Sequence, residues 1–251
     1  MDYDVIIIGG GVTGTALLYV FSKFTNLRRI LTIERRIGVG LVNSNATNNS
    51  QTLHSGEIET NFTLEKALTV NGYAKLLAGF LERHAPQHAF RRLPKMVIGV
   101  GAEEVAFLTK RHETFKPHFP SIQLLNRAQI AAVEPRVVDE RPKDQPLIAL
   151  ASAHGYGVNY QELSHAFLDA ASHSGGQRVD SVFDRNVDSI VREGEGFRIR
   201  AGDAEYTAKT VIVAAGPASL LFAHALGYGL QYALLPVAGS FYRAHDVSPS
   251  R

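Results

Sequence analysis

The chain opens with an apolar strand, a glycine-rich turn and a helix, and this unit constrains the fold more than any other segment. Residues 4–8 are followed by Gly9, Gly11 and Gly14 in the spacing G-x-G-x-x-G, and a second apolar strand ends on Glu34. In such a unit the glycines permit a tight turn, close approach of a pyrophosphate and close packing of the helix on the sheet. An acid about 20 residues further on accepts a hydrogen bond from a ribose hydroxyl. The pattern predicts a βαβ unit that binds a dinucleotide.

A glycine-rich turn by itself is a weak sign, because such turns occur in many loops. Here strand, glycines, helix, second strand and acid follow one another in the required order. Glu34 disfavours a phosphate on the ribose 2′ position, whereas Arg35 and Arg36 would suit one. NADP therefore stays open as the less favoured dinucleotide.

The composition is that of a soluble globular protein with one large or two modest domains. The 251 residues are 45% hydrophobic and 20% charged. Lys and Arg number 26 against 24 Asp and Glu, a net charge of +2, which gives no basic surface for nucleic acid. Cysteine is absent, which excludes disulfides and thiolate metal sites, and the histidines lack ligand spacing, so no metal site is predicted.

The position of the first strand bears on localisation. It begins within four residues of Met1, which leaves no room for a secretory signal, and no run approaches the roughly 20 apolar residues of a spanning helix. We expect a cytoplasmic chain, with peripheral contact on the inner face of a membrane left open.

The periodicity of apolar residues alternates between helix and strand, which indicates an α/β protein. Helices are predicted over 12–25, 64–84, 102–116, 127–133, 161–172 and 218–226, and strands over 4–8, 30–33, 95–100, 187–191, 197–200, 205–207 and 210–213.

Two later segments carry a resemblance to a known family. The polar loop 38–56 contains the triplet His54-Ser55-Gly56, and the strand 210–213 runs into Ala214-Ala215-Gly216. Together with the first motif, they resemble the FAD-dependent oxidoreductases of the D-amino-acid oxidase type. The segment 49–62 is most similar to the branch that contains the malate:quinone oxidoreductases and the L-2-hydroxyglutarate oxidases.

The resemblance implies FAD as cofactor. Its pyrophosphate would lie over the first glycines, its adenosine ribose on Glu34, and its flavin ring beside the loop 43–56. The implied cofactor-binding residues are Gly9, Gly11, Val12, Thr13, Gly14, Glu34, Arg35, Asn43, Ser44, Ser50, Gln51, Ala214, Ala215 and Gly216.

The resemblance also implies a Rossmann-like FAD-binding domain, with a parallel sheet and helices, and part of an α+β substrate domain with an antiparallel sheet. Residues 1–84 and 161–228 would form the two parts of the first domain. Residues 85–160 would belong to the substrate domain, and 229–251 would begin its returning sheet.

The implied reaction is oxidation of a small 2-hydroxy acid, malate or 2-hydroxyglutarate, with electrons passed to a quinone or to oxygen. His54 is the candidate proton acceptor or flavin contact; a neutral histidine that fixes loop backbone, or a covalent flavin link, stays open. Arg243 is the candidate clamp for the substrate carboxylate, against an ordinary surface arginine. Glu57 and Glu59 are expected to be solvated or bonded to loop amides.

Complete members of the family are longer and carry a further glycine-rich segment near the C-terminus, which is not found in these 251 residues. The chain therefore resembles the N-terminal half or two thirds of an enzyme, either as a fragment of the full enzyme or completed by a companion chain. The alternatives are a non-catalytic dinucleotide-binding module, an FAD-dependent amino-acid oxidase and, less favoured, a nicotinamide-dependent dehydrogenase.

Overall fold

A computed structural model describes residues 2–173, 175–237 and 239. In chain order the elements are β1 (Tyr3–Ile8), α1 (Val12–Phe24), β2 (Arg29–Ile33), β3 (Thr52–Leu53), α2 (Leu64–His84), β4 (Phe90–Val100), α3 (Ala102–Phe115), β5 (Gln123–Asn126), α4 (Arg127–Val133), β6 (Leu147–Val158), α5 (Tyr160–Ser172), β7 (Arg178–Val182), β8 (Ser189–Glu193), β9 (Gly196–Ala201), β10 (Ala204–Val213) and α6 (Ser219–Ala225). Short 3-10 turns lie at 87–89, 135–137 and 216–218.

The chain divides into two compact units. The first unit contains residues 1–50 and 160–251, and the second unit contains residues 51–159. The predicted segments placed α2 with the cofactor domain, whereas the contacts group it with the second unit. The boundaries of the domains as functional units stay a prediction.

The first unit is built on a six-stranded sheet with the order β7-β2-β1-β10-β9-β8. Strands β7, β2, β1 and β10 are parallel, and β9 and β8 continue the sheet antiparallel. Alternate residues of β1 enter two cores, as the two-residue period of a strand requires. Val5 and Ile7 pack with Leu18 of α1, whereas Ile6 and Ile8 pack on the opposite face. Such burial on both faces explains the nearly continuous apolar run of this strand.

The second unit is built on an antiparallel sheet around β6, which pairs with β4 on one side and with β3 and β5 on the other. Leu150 of β6 packs with Leu108 and Phe115 of α3. Ala149 belongs to a second core, with Ile130 of α4. Helices therefore cover both faces of the sheet at its centre.

The predicted α/β fold class is confirmed, and several strands differ from the prediction. The apolar pattern does not predict β6, whose small residues and glycines lower strand propensity, or the short strands β3, β5 and β7. β4 begins at Phe90 rather than at residue 95, because the pairing shifts register around Pro94 instead of ending there. The two strands predicted over 205–213 form the single β10, which pairs with β9 in its first half and with β1 in its second. β8 starts two residues later than predicted.

Among the residues that the structure describes, no helix combines the length and the apolar character needed to cross a bilayer.

Candidate functional site

The carboxyl end of β1 marks a switch point in the sheet of the first unit. β1 pairs with β2 on one side and with β10 on the other, and the chain leaves these three strands at Ile8, Ile33 and Val213. In open α/β sheets, ligands bind in the crevice outside the carboxyl ends of the strands where the strand order reverses. The glycine-rich turn, the end of β2 and the turn after β10 all lie at this edge.

Two glycines, Gly9 in the turn after β1 and Gly14 in the first turn of α1, lie where no side chain would fit. Gly9 has φ +111°, and a Cβ built on it would lie 2.5 Å from the carbonyl oxygen of Ala214. A Cβ on Gly14 would lie 1.9 Å from the carbonyl oxygen of Gly9. A side chain at Gly14 would push α1 away from the end of β1, and one at Gly9 would push the turn away from the backbone that follows β10. The first turn of α1 therefore lies directly on the strand ends, with its amides directed to the crevice.

A buried acid supports this turn from the end of β2. Glu34 is only 8% exposed. Its Oε2 accepts the amide hydrogen of Gly10 at 2.6 Å, and its Oε1 accepts that of Arg36 at 2.8 Å. A carboxylate offers about four acceptor positions, so both oxygens keep room for a further donor. Arg35, the neighbouring candidate, is exposed.

The loop after β2 contacts the turn after β1 and the turn after β10. The buried Ser44 accepts the amide hydrogen of Val12 through its hydroxyl oxygen at 3.0 Å. The amide of Gly40 donates to the carbonyl of Gly10 at 2.9 Å. On the other side, a Cβ on Gly216 would lie 3.7 Å from Nδ2 of Asn43. The structure thus brings these parts of the predicted cofactor site together within the first unit.

The remaining predicted site residues fall elsewhere. Ser50 is exposed and ends the first segment of the first unit, whereas Gln51 and His54 belong to the second unit. Arg243 lies outside the described residues.

His54 begins a loop, residues 54–62, that we call the His54 loop. Its ring is 59% exposed, and Nδ1 lies 3.2 Å from Oε1 of Glu59. The same oxygen accepts the amide hydrogen of Ser55 at 3.2 Å, as expected of an acid bonded to a loop amide. Glu57 instead accepts a hydrogen bond from the hydroxyl of Ser152, a partner on β6 that the sequence did not indicate.

Two cations accompany these acids, the half-buried Lys95 and the buried Arg111. Lys95 of β4 donates to the carbonyl of Leu53. Burial lowers the pKa of Lys95, while Glu59 and Glu57 act in the opposite direction. Arg111 of α3 donates from Nη1 to the carbonyl of Phe62 at 2.9 Å and from Nη2 to that of Glu59. The His54 loop is therefore anchored by charged side chains of a strand and a helix.

A cavity of about 470 Å³ lies beside the His54 loop within the second unit. Leu53, Ser55 and Glu57 form one wall, and α2, residues 118–121 and the end of β6 form the others. At its border Glu82 accepts from Tyr156 and Arg92, and these two contacts lower the pKa of Glu82. Within the described ranges, no group of three or more His, Cys, Asp or Glu could hold a metal ion.

Comparison with known proteins gives the same family as the motifs. The sequence model of the malate:quinone oxidoreductase family matches residues 1–249. A probable malate:quinone oxidoreductase of Campylobacter jejuni is 33% identical over 250 residues, covering 96% of this chain and 56% of the relative. The malate:quinone oxidoreductase of Helicobacter pylori is 35% identical over 258 residues, covering 98% and 56%. The chain thus spans about half the length of these relatives.

Solved structures share the fold at low sequence identity. Glycine oxidase from Geobacillus kaustophilus has a TM-score of 0.69 at 19% identity, covering 90% of this chain and 58% of that one. L-α-glycerophosphate oxidase from Mycoplasma pneumoniae, solved with FAD bound, has a TM-score of 0.69 at 19% identity, covering 89% and 56%. The resemblance read from the motifs is confirmed by the family match, and the chain belongs to the malate:quinone oxidoreductase family.

Proposed function

We propose that this chain supplies the cofactor-binding part of an FAD-dependent oxidoreductase that oxidises a small 2-hydroxy acid of the malate type and passes the electrons to a quinone. The observation that carries the proposal is the family match over residues 1–249. Since the relatives are nearly twice as long, the rest of the enzyme comes from further polypeptide, in a longer chain or in a companion chain.

The residues at the switch point suit FAD. A Cβ at Gly9 or Gly14 would collide with backbone, so the turn keeps α1 close to the strand ends. The pyrophosphate would bind at the helix N-terminus, which favours an anion, at the amides of Thr13 and Gly14 and, in place of the Ser44 hydroxyl, at the amide of Val12. Glu34 would receive the ribose hydroxyls on the lone pairs that its two backbone bonds leave over. Asn43, Ser44 and residues 214–216 would border the rest of the dinucleotide. Bound FAD would supply the hydride acceptor.

The chain's own contribution to the chemistry would be proton transfer and substrate orientation. We assign His54 as acceptor of the hydroxyl proton of the substrate, because its ring is largely exposed and one nitrogen is held by Glu59. Arg243 would bind the substrate carboxylate through two parallel hydrogen bonds.

The family description names a quinone as electron acceptor. Because such quinones dissolve in lipid, we place the enzyme on the inner face of a membrane as a peripheral protein, in contact with the cytoplasm. Oxygen is the second candidate acceptor, since the fold is shared with glycine oxidase and L-α-glycerophosphate oxidase. The family match favours the quinone, because similarity at 19% identity speaks for the fold alone.

The test is the visible absorption spectrum of the purified chain after incubation with excess FAD and thorough desalting. We expect a retained flavin spectrum, and incubation with NAD or NADP under the same conditions serves as the control for a nicotinamide enzyme. A chain that retains no flavin, alone or with a companion, would contradict the assignment of FAD.

A second experiment distinguishes an enzyme from a non-catalytic binding module. The companion is a polypeptide that carries the part of the Campylobacter jejuni relative outside the matched region. If malate bleaches the retained flavin in its presence, the oxidoreductase function holds. If the flavin is retained but malate and 2-hydroxyglutarate never bleach it, the chain is a non-catalytic dinucleotide-binding module. Bleaching by amino acids instead would favour an amino-acid oxidase.

A further inference from the structure

The contacts of Glu59 determine which nitrogen of His54 carries the ring proton. Oε1 of Glu59 lies 3.2 Å from Nδ1 of His54 and accepts the amide hydrogen of Ser55 at 3.2 Å. An ionised carboxylate can only accept hydrogen bonds, so the ring must donate from Nδ1. In a neutral imidazole the other nitrogen, Nε2, then has no proton and is an acceptor.

Arg111 holds Glu59 in this position. Its side chain lies on α3 and is only 7% exposed, and its guanidinium binds the backbone carbonyls of Glu59 and Phe62 at once. The guanidinium carbon lies 3.8 Å from the centre of the Phe115 ring, so the group is also fixed by stacking. Burial lowers the pKa of Arg111, and the charge of Glu59 acts in the opposite direction.

The carboxylate of Glu59 has little freedom to turn away. Its side chain is 10% exposed, in contrast to the ring that it contacts. Oε2 of Glu59 and Nε of Arg111 are both buried without a hydrogen-bond partner among the described residues. A buried charge that loses its counter-charge is costly, so Glu59 and Arg111 stabilise each other in place.

We infer that Glu59, anchored by Arg111, is a positioning residue that keeps His54 as the Nδ1–H tautomer and leaves Nε2 as the proton-accepting nitrogen. The assignment of the tautomer stands on the geometry of the second unit. Its use in oxidation of a 2-hydroxy acid rests on the proposed function.

The test is the pattern of ring-nitrogen signals in long-range proton–nitrogen NMR spectra of the histidine-labelled 251-residue chain, with His54 assigned by its loss in His54→Gln. We expect the Nδ1–H form of the neutral ring to exceed the Nε2–H form by roughly threefold to tenfold, the range of one hydrogen bond. Glu59→Ala should abolish this excess. Glu59→Gln should keep it, because the amide of Ser55 still requires an oxygen acceptor at that position.

Variants of α3 test the anchor. Arg111→Lys keeps the charge but cannot bridge two carbonyls, so the Nδ1–H excess should fall and the amide of Ser55 should exchange with solvent faster. Lys110→Ala, at an exposed neighbouring position, should change neither. An excess of Nε2–H in the unaltered chain, or an unchanged excess of Nδ1–H in a folded Glu59→Ala variant, would overturn the inference. None of these signals requires flavin, so a failure to retain FAD is a separate result.

Discussion

The turn after β1 and the His54 loop, the two segments to which we assign functional roles, both have a fixed backbone, but it is held by different means. In the first unit the backbone is held by the absence of side chains: Gly9 and Gly14 allow contacts that any Cβ would block. In the second unit the loop is held by long charged side chains from β4 and α3. The glycines that hold the turn are close to one another in sequence, whereas the side chains that hold the His54 loop are far from it. This difference decides how each segment responds to mutation and how readily it can be predicted from the sequence.

Gly14→Val gives the largest expected effect, because it removes one of the two glycines that allow close contact in the first unit. The new Cβ would lie 1.9 Å from the Gly9 carbonyl oxygen, so α1 must move off the sheet. We expect a loss of about 3 kcal/mol or more in the free energy of unfolding, together with loss of FAD retention. Urea unfolding followed by circular dichroism measures the first quantity and absorption after desalting the second.

Gly72→Ala is the matched control. Gly72 lies in α2, where an added Cβ meets nothing within 4 Å. Alanine there should raise stability by about 0.5–1 kcal/mol, because glycine costs this much inside a helix. A Gly14→Val variant that unfolds at the same urea concentration as Gly72→Ala would show that the close approach at the turn is not needed.

Arg111→Ala removes the side chain of α3 that holds the His54 loop. It leaves the carbonyls of Glu59 and Phe62 without their donor and the Glu59 charge without one of its two neighbouring cations, so we expect a loss of about 2–4 kcal/mol in the free energy of unfolding. Lys110→Ala should stay within about 0.5 kcal/mol of the unaltered chain in the same urea titration. If the two variants unfold together, the guanidinium does not hold the loop.

Asp4→Asn tests the attachment of β1 to its neighbours. Asp4 accepts from Lys209 at 2.7 Å and from the amides of Arg28 and Arg29, and these hydrogen bonds lower its pKa from 3.8 to about 2. A lowered folded-state pKa stabilises the protein above pH 3.8, and the contribution is lost as the pH falls through about 2. We expect the variant to be less stable by about 1–2 kcal/mol at pH 6.

The difference between Asp4→Asn and the unaltered chain should shrink as the pH falls from about 4 towards about 2, because the native carboxyl is then protonated. Unfolding curves at several pH values measure this convergence. A gap that stays constant over the acid range would show that the charge of Asp4 is not the source of the stability.

Glu34→Gln gives the smallest expected change and tests the binding role of the first unit. One of the two acceptors for Gly10 and Arg36 becomes a donor, and the charged partner that we propose for a ribose hydroxyl is lost. We expect the dissociation constant of FAD to rise roughly tenfold. Titration of flavin fluorescence gives the value, and Glu65→Gln, at an exposed position in α2, should leave it unchanged.

The same contrast explains what the sequence could predict. The β1-α1-β2 unit is specified by neighbouring residues, so strand, turn and helix follow from the apolar run and the glycine spacing. β6 depends on pairing with β4, β3 and β5, all distant in sequence, and its small residues give no strand signal of their own. The contact of Ser152 with Glu57 exists only because that pairing forms.

One signal for Arg111 is present in the sequence. It lies three residues after Leu108 and four before Phe115, on the face of α3 that is buried. An arginine on the apolar face of a helix needs partners for its donors, and this indicates buried acceptors without identifying them. The carbonyls of Glu59 and Phe62 are about 50 residues away along the chain, beyond the reach of local patterns.

The pairing of β1 with β10 also determines when, during translation, the first unit can complete its sheet. Tyr3 of β1 pairs with Ala208 of β10, 205 residues further along the chain (208 − 3 = 205), so β1 waits for a strand that is made much later. At about 5–20 residues per second the ribosome needs roughly 10–40 s for this interval. During that time the isoleucine-rich β1 has one open edge, and the whole second unit is translated before the edge can close.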